Sequence, residues 1–193
     1  EVGSLEALPV KTTKKLVDAA AWYLSDTGSL CGSALDSGDQ NGDGYPDLAF
    51  SALGGDGTLY LFNGPLSGSS LSDADATLAG PTGGNLGNAV ALAGDLDDDG
   101  FDDLVGGDYR DSSDRGTAWV WLGPLSGSTD TSTADAAWTG DTDYDYATYD
   151  GALTYVGDAS GDGYDDVLVG APWVDDQGSS SGAAWLLTGG PGQ

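Results

Sequence analysis

The sequence contains one nine-residue pattern three times: DQNGDGYPD at residues 39–47, DLDDDGFDD at 95–103 and DASGDGYDD at 158–166. The copies share the form D-x-[DNS]-x-D-G-x-x-D and begin 56 and 63 residues apart. Recurrence at a long, nearly constant spacing is the sign of an internal structural repeat. The segments around the three copies therefore predict the fold.

Short stretches with strand character surround each copy in the same order. An apolar run follows each copy directly. After a turn comes a second stretch with the alternating pattern of a β-strand, at residues 58–62, 118–122 and 183–187. A glycine with a short apolar stretch precedes each copy, and a further short strand comes before that, at residues 21–24, 76–78 and 136–138. Such strands, rich in Val, Leu, Trp and Tyr and separated by Gly, Pro, Asp and Ser, are typical of propeller blades.

The sequence therefore predicts an all-β fold of three propeller-type blades, each with about four antiparallel strands. The predicted bounds are an N-terminal arm or linker at 1–15, with a further strand within 10–17, and blades at 16–70, 71–129 and 130–193. A parallel β-helix is the competing repeat fold, but its turns are usually much shorter. Since closed propellers generally need four or more blades, we expect a partial propeller: a fragment or processed product, a homo-oligomer, or a partner of another chain.

The oxygen-rich loops predict a metal centre in each repeat. Positions 1, 3 and 5 place oxygens on one side of a curled loop, glycine at position 6 permits a positive φ, and positions 7 and 9 add a carbonyl and a carboxylate. Ca²⁺ accepts six to eight oxygens at flexible angles and suits this pattern better than Mg²⁺, which demands octahedral geometry. The predicted ligands of about three Ca²⁺ are Asp39, Asn41, Asp43, Tyr45 and Asp47; Asp95, Asp97, Asp99, Phe101 and Asp103; and Asp158, Ser160, Asp162, Tyr164 and Asp166.

The three sites differ in charge. The second loop offers four carboxylates and is predicted to bind most tightly, while Ser160 is the weakest ligand of the third. Asp98 and Asp102 are expected to point outward. Simple Asp/Gly hairpin turns are the alternative interpretation, but four carboxylates within nine residues repel one another unless a cation is bound. An EF-hand is disfavoured because it requires flanking helices and a Glu at position 12.

The composition excludes several classes of function. With 32 acidic and 5 basic residues, the net charge of −27 argues against binding nucleic acid or an anionic membrane. The chain has no His, which excludes Ser-His-Asp and Cys-His catalysis and His-ligated zinc. Cys31 is the sole cysteine and is expected to be a small buried residue. Adjacent acids such as Asp175 and Asp176 face opposite sides of a strand, so no acid–base pair is predicted and the protein is expected not to be an enzyme.

Aromatic residues in Asp/Gly/Ser-rich surroundings are candidates for contacting a partner. They are Trp138, Tyr144, Tyr146, Tyr149 and Trp173. The competing interpretation places each of them in a blade core, since large aromatic rings are usually buried. The stretch at 141–146 is the most loop-like of these surroundings.

The loops, the apolar run after them and the tripeptide Gly170-Ala171-Pro172 resemble the FG-GAP repeats of the integrin α-subunit β-propeller. The first two copies depart from this pattern, with Ser-Ala-Leu at 51–53 and Gly-Gly-Asp at 106–108 in the Gly-Ala-Pro place. The resemblance covers roughly residues 18 to 189. It implies a calcium loop between adjacent strands and a secreted, cell-surface or periplasmic module that binds a protein or glycan. An assembly subunit, closed into a ring by oligomerisation, is the alternative; an accessory domain of a secreted hydrolase is disfavoured.

Overall fold

The structure, a computed structural model, describes residues 28–67, 70–92 and 94–191. The predicted arm at 1–15, the strand at 21–24 and the strand within 10–17 lie outside these residues. Where the chain is described, no helix is long and apolar enough to cross a membrane.

Twelve strands form three sheets in the described part of the chain. The first sheet contains β1 (Cys31–Gly38), β2 (Asp47–Ala52), β3 (Thr58–Phe62), β4 (Ala76–Ala79) and, at its outer side, β8 (Gly127–Asp130). The second contains β5 (Ala89–Leu92), β6 (Leu104–Asp108), β7 (Thr117–Trp121) and β9 (Ala136–Thr139). The third contains β10 (Leu153–Gly157), β11 (Asp166–Ala171) and β12 (Ala183–Thr188). Single helical turns lie at Leu71–Asp73, Asp111–Asp114, Thr131–Thr133 and Tyr149–Gly151.

Neighbouring strands in each sheet are antiparallel, except that β8 pairs parallel with β4. The prediction of an all-β fold with three propeller-type sheets is confirmed. The three sheets do not close into a ring within the described residues, which agrees with a partial propeller.

The sheets are offset by one strand from the repeats read in the sequence. β4 lies after residue 70 but pairs with β3, and β9 lies after residue 129 but pairs with β7. The second and third repeats therefore begin with a strand that completes the sheet of the repeat before. The bounds 16–70, 71–129 and 130–193 stay a prediction as domain divisions, but the sheets do not follow them.

Two apolar cores join the three sheets face to face. One core lies between the first and second sheets and includes Leu61 and Trp121. The other lies between the second and third sheets and includes Val120 and Val167. Alternate residues of a strand point to opposite faces of its sheet. The second sheet contacts a core on each face, so both sets of residues in its strands are apolar, as in β7 (TAWVW). Cys31 was expected to be buried but is half-buried, and its thiol forms no disulfide. It lies at the start of β1, which is an edge strand of the first sheet.

Candidate metal centres and an aromatic cavity

The three nine-residue loops occupy equivalent places in the fold. They connect β1 with β2, β5 with β6 and β10 with β11, so each joins the first two strands of a sheet. The glycine at position 6 has a positive φ in every copy, +84° at Gly44, +96° at Gly100 and +99° at Gly163. A side chain would strain this backbone, which explains the glycine in the pattern.

Each loop is closed by the same hydrogen bonds. In the second loop the carboxylate of Asp95 accepts the N–H groups of Asp99 at 2.9 Å and of Gly100 at 2.7 Å. Asp39 and Asp158 accept the corresponding N–H groups in the first and third loops. The carboxylate at position 5 then accepts the N–H of position 7 in all three loops. Because a carboxylate oxygen has two lone pairs, these bonds orient it and leave capacity for a cation.

The second loop brings three predicted ligands together. One carboxylate oxygen from each of Asp95, Asp97 and Asp99 lies within 4.8 Å of the others. Burial, with repulsion from the other two carboxylates, raises the pKa of Asp97, and its buried Oδ1 has no hydrogen-bond partner among the described groups. Asn41 and Ser160 replace Asp97 in the other loops, so a group of three carboxylates forms only in the second. Oxygens gathered in this way suit a hard cation.

The carboxylate at position 9 holds the loop in place, and its predicted role as a ligand stays a prediction. Asp103 is fully buried, and its two oxygens accept the N–H groups of Leu96 at 2.7 Å and Gly123 at 2.8 Å. Burial raises its pKa to about 7. Asp47 and Asp166 are also buried and accept two N–H groups each, one after the third strand and one within the loop, which comes from position 2 for Asp47 and from position 3 for Asp166. Position 9 thus ties the loop to the end of the third strand and does not join the group formed by positions 1, 3 and 5.

Position 8 links neighbouring loops, which the sequence prediction missed. The Asp102 carboxylate, expected to point outward, accepts the N–H of Asp39 at 2.7 Å, while its own N–H donates to the Asp39 carbonyl at 3.2 Å. Asp165 makes the same pair of bonds to Asp95, at 3.1 and 3.2 Å. We call this pair of hydrogen bonds a clamp. Each clamp joins position 8 of one loop to the position-1 residue of the preceding loop. Asp98 is exposed, as expected.

The turns at the other end of the sheets gather most of the aromatic candidates. Tyr146 lies 5.9 Å from Tyr149, 6.2 Å from Tyr144 and 6.5 Å from Trp173, measured between ring centroids. Tyr109, which the sequence analysis missed, packs edge-on against Tyr149 at 5.1 Å. An open cavity of about 670 Å³ is lined by Tyr109, Tyr146, Tyr149 and Trp173 together with Gly83, Arg110 and Asp114, and Tyr144 lies beside it. Trp138 does not join them, because it packs against the core between the second and third sheets.

A buried carboxylate beside this cavity gives the fold a pH dependence. Asp108, at the end of β6, is fully buried, and its Oδ1 accepts the N–H groups of Asn85 at 2.8 Å and Arg110 at 3.0 Å. Burial raises its pKa to about 6. The folded state therefore holds more protons than the unfolded state between about pH 4 and pH 6, and this contribution to stability is lost as the pH rises through that window.

We expect Asp108→Asn to remove this loss. A shift of this size corresponds to about 2–3 kcal/mol, so the free energy of unfolding of the variant should fall less between pH 4.5 and 7. Urea denaturation at both pH values, in saturating Ca²⁺, measures the difference from the unchanged protein. Asp176→Asn, at an exposed position, is the matched control, and an unaltered pH slope in the Asp108 variant contradicts the assignment.

Comparison with known proteins agrees with this geometry. Residues 151–187 match the FG-GAP repeat, a range that contains β10, the third loop and β11. The chain is 28% identical over 155 residues to integrin alpha-4 of Xenopus laevis, an alignment that covers 75% of this chain and 14% of the integrin. The chain thus spans a small part of the length of this relative. The resemblance stated from the sequence is confirmed: the chain carries an FG-GAP repeat and is distantly similar to integrin alpha-4 over most of its length.

Proposed function

We propose that the chain is a calcium-stabilised FG-GAP module that binds one Ca²⁺ in each of its three loops and presents a surface for a protein or glycan. The observation that carries the proposal is the close approach of the Asp95, Asp97 and Asp99 carboxylates in the second loop. Three like charges at such distances repel strongly in a partly buried site, and a bound divalent cation reverses the sign of that interaction.

Calcium fits the loops better than a smaller or softer cation. The donors are carboxylate, amide, hydroxyl and carbonyl oxygens on a flexible backbone, which Ca²⁺ tolerates and Mg²⁺ does not. Positions 1, 3 and 5 carry three carboxylates in the second loop and two in each of the others. We therefore propose that the second site binds Ca²⁺ more tightly than the first and third. Sites of modest affinity would fill at extracellular calcium levels, so we propose an extracellular, cell-surface or periplasmic location.

The aromatic cavity is the surface we propose for the partner. Tyr144 is 63% exposed and Trp173 is 48% exposed, and both lie beside other rings. A group of neighbouring exposed aromatic rings favours binding to a partner, because such rings supply contact area with little loss of conformational entropy. No catalytic role is proposed, since FG-GAP repeats are typically non-catalytic.

Calcium stoichiometry tests the proposal. Isothermal titration of the calcium-free protein is expected to give three sites, and Asp97→Ala should remove the tightest one while leaving the other two. Asp97 is chosen because its Oδ1 has no hydrogen-bond partner among the described groups, so its loss leaves no donor unpaired. Asp176→Ala, at an exposed position outside the loops, is the control. Unchanged stoichiometry in the Asp97 variant would refute the ligand assignment.

A further inference from the structure

The chain contains two Asn-Gly pairs, and they lie in different surroundings. Asn41 and Gly42 are positions 3 and 4 of the first loop, whereas Asn63 and Gly64 directly follow β3. An asparagine followed by glycine is prone to deamidation, because glycine has no side chain to hinder the approach of its own nitrogen to the asparagine side chain. The state of that nitrogen therefore decides which of the two pairs reacts.

The nitrogen of Gly64 is held by the fold. Its N–H donates to the Asp47 carboxylate at 2.7 Å, and this carboxylate is fully buried. The side chain of Asn63 is also engaged, since its Oδ1 accepts an N–H of the Gln40 side chain at 2.6 Å. Attack by the Gly64 nitrogen would break a hydrogen bond to a buried carboxylate, which belongs to the stronger class of hydrogen bonds. This pair is therefore protected.

The nitrogen of Gly42 donates to no group among the described residues. The carboxylate at position 1 of its loop accepts the N–H groups of positions 5 and 6, at 3.1 and 2.9 Å, but not that of position 4. In the third loop the residue at position 4, Gly161, does donate to Asp158, at 2.6 Å. Gly42 is also exposed, so solvent reaches its N–H. The first Asn-Gly pair thus lacks the protection of the second.

The side chain of Asn41 is held by hydrogen bonds within its own loop. Its Oδ1 accepts the N–H of Asp43 at 3.0 Å, and its Nδ2 donates to the Asp43 carboxylate at 3.3 Å. Asp43 is exposed, so water can replace both bonds. The Asn41 side chain can therefore turn toward the nitrogen of Gly42 without the loss of a hydrogen bond to the sheets.

We propose that Asn41 is a site of spontaneous modification in the calcium-free protein. The nitrogen of Gly42 forms a bond to Cγ of Asn41, and the bond from Cγ to the side-chain nitrogen breaks. The proton of the Gly42 N–H passes to that nitrogen, which leaves as ammonia, and a cyclic succinimide remains. One water molecule then opens the ring at either carbonyl and gives aspartate or isoaspartate at position 41. A carboxylate thus replaces the amide, with no transfer of electrons to an oxidant.

The two products have opposite effects on the first loop. Aspartate at position 41 gives positions 1, 3 and 5 three carboxylates, as in the second loop. It should therefore raise the affinity of the first site for Ca²⁺. Isoaspartate instead routes the backbone through Cγ and lengthens it by one atom. This change displaces Asp43 and Gly44, whose N–H groups donate to the Asp39 carboxylate, and so disables the loop.

Calcium should slow the reaction, and this part of the inference rests on the proposed function. The Oδ1 of Asn41 is a predicted ligand of the first site, so a bound cation would hold the side chain away from Gly42. At a Ca²⁺ concentration about a hundred times the dissociation constant, the loop is free of the ion about 1% of the time, and the rate should fall at least about tenfold. The first loop would then keep a permanent record of time spent without calcium.

Incubation of the whole chain in excess EDTA at physiological temperature and pH tests the inference. Tandem mass spectrometry of proteolytic fragments locates each amide that has become an acid, and the Asn41→Asp protein supplies the fragment that distinguishes aspartate from isoaspartate. We expect conversion at Asn41 to be at least about tenfold faster than at Asn63, because only the second reaction must break a hydrogen bond to a carboxylate. Asn63 is the matched control, since glycine follows both asparagines.

Two further samples show whether the fold causes the difference. In concentrated urea the two asparagines should convert at similar rates, because the bond between Gly64 and Asp47 is lost. The Asn41→Gln protein should show no conversion at position 41 on the same time scale, since its longer side chain would have to close a larger ring. Conversion at Asn63 should be the same in this variant as in the unchanged protein.

Several results would overturn the inference. Equal conversion of the two asparagines in EDTA, or faster conversion at Asn63, contradicts the protection assigned to Gly64. A tenfold difference that persists in urea shows that the fold is not its cause. An equal rate at Asn41 in EDTA and in saturating Ca²⁺ contradicts control by calcium if calorimetry shows that the first site is filled. If calorimetry shows that site empty, the proposed function fails, while the comparison in EDTA still decides whether Asn41 is modified.

Discussion

Alanine in place of Gly116 is expected to destabilise the protein by about 3 kcal/mol or more. Gly116 has a φ of +80°, which costs a residue with a side chain about 1–2 kcal/mol. The new Cβ would also lie 2.2 Å from the Ala147 carbonyl oxygen, a backbone atom that cannot turn aside. The loop that leads into the third sheet must therefore move, which opens the core between the second and third sheets.

Gly182→Ala is the matched control for this prediction. Its φ of +71° is similar, but its Cβ has only ordinary contacts, the nearest at 3.4 Å. The free energy of unfolding of the control should fall by about 1 kcal/mol, which is the cost of the backbone conformation alone. Urea denaturation followed by tryptophan fluorescence in saturating Ca²⁺ compares the two variants. Equal losses would show that the backbone conformation alone matters and that the contact with Ala147 is not rigid.

Chelation of calcium is expected to remove much of the stability of the fold. A ligand at about a hundred times its dissociation constant adds about 2.7 kcal/mol per site to the free energy of unfolding. Three such sites would together add about 8 kcal/mol, which is comparable with the whole stability of an ordinary domain. The chain has a formal net charge of −27, so the calcium-free form also suffers greater repulsion between its carboxylates.

Thermal unfolding followed by far-UV circular dichroism measures this effect. At a Ca²⁺ concentration about a hundred times the measured dissociation constants, the unfolding midpoint should lie at least about 15 °C above that in excess EDTA, at the usual few degrees per kcal/mol. Mg²⁺ at the same ionic strength is the control and should restore only a small part of the difference. The same midpoint in all three conditions would mean that the loops are turns held by hydrogen bonds alone.

The strands were predictable because their local patterns are strong. The stretches at 58–62, 118–122 and 183–187 are short, rich in apolar and aromatic residues and bounded by turn residues, and all three form strands. Their partners were less accessible to sequence analysis. Whether Ala76–Ala79 hydrogen-bonds to the strand before it or to the one after it depends on the long-range packing of sheets, and the same residues would satisfy either arrangement.

The candidate site was predicted in part for a similar reason. The ligand pattern of the loops is local, so the gathering of Asp95, Asp97 and Asp99 was expected from spacing. The role of Asp102 was not, because its partner Asp39 lies 63 residues away. Aspartate at position 8 in two of the three loops was the available signal. Tyr109 was missed because its ring partners, Tyr146 and Tyr149, lie far along the chain, in the connection between β9 and β10.

The clamps at position 8 give the three loops a direction. Loop three holds the first residue of loop two, and loop two holds that of loop one. Loop one has Pro46 at position 8, which offers neither a carboxylate nor an N–H group. If the proposed Ca²⁺ binds, an ion that orders one loop would also fix the hydrogen bonds which that loop makes to the loop before it. Because Pro46 cannot make these bonds, the first loop would pass no such effect to a preceding segment.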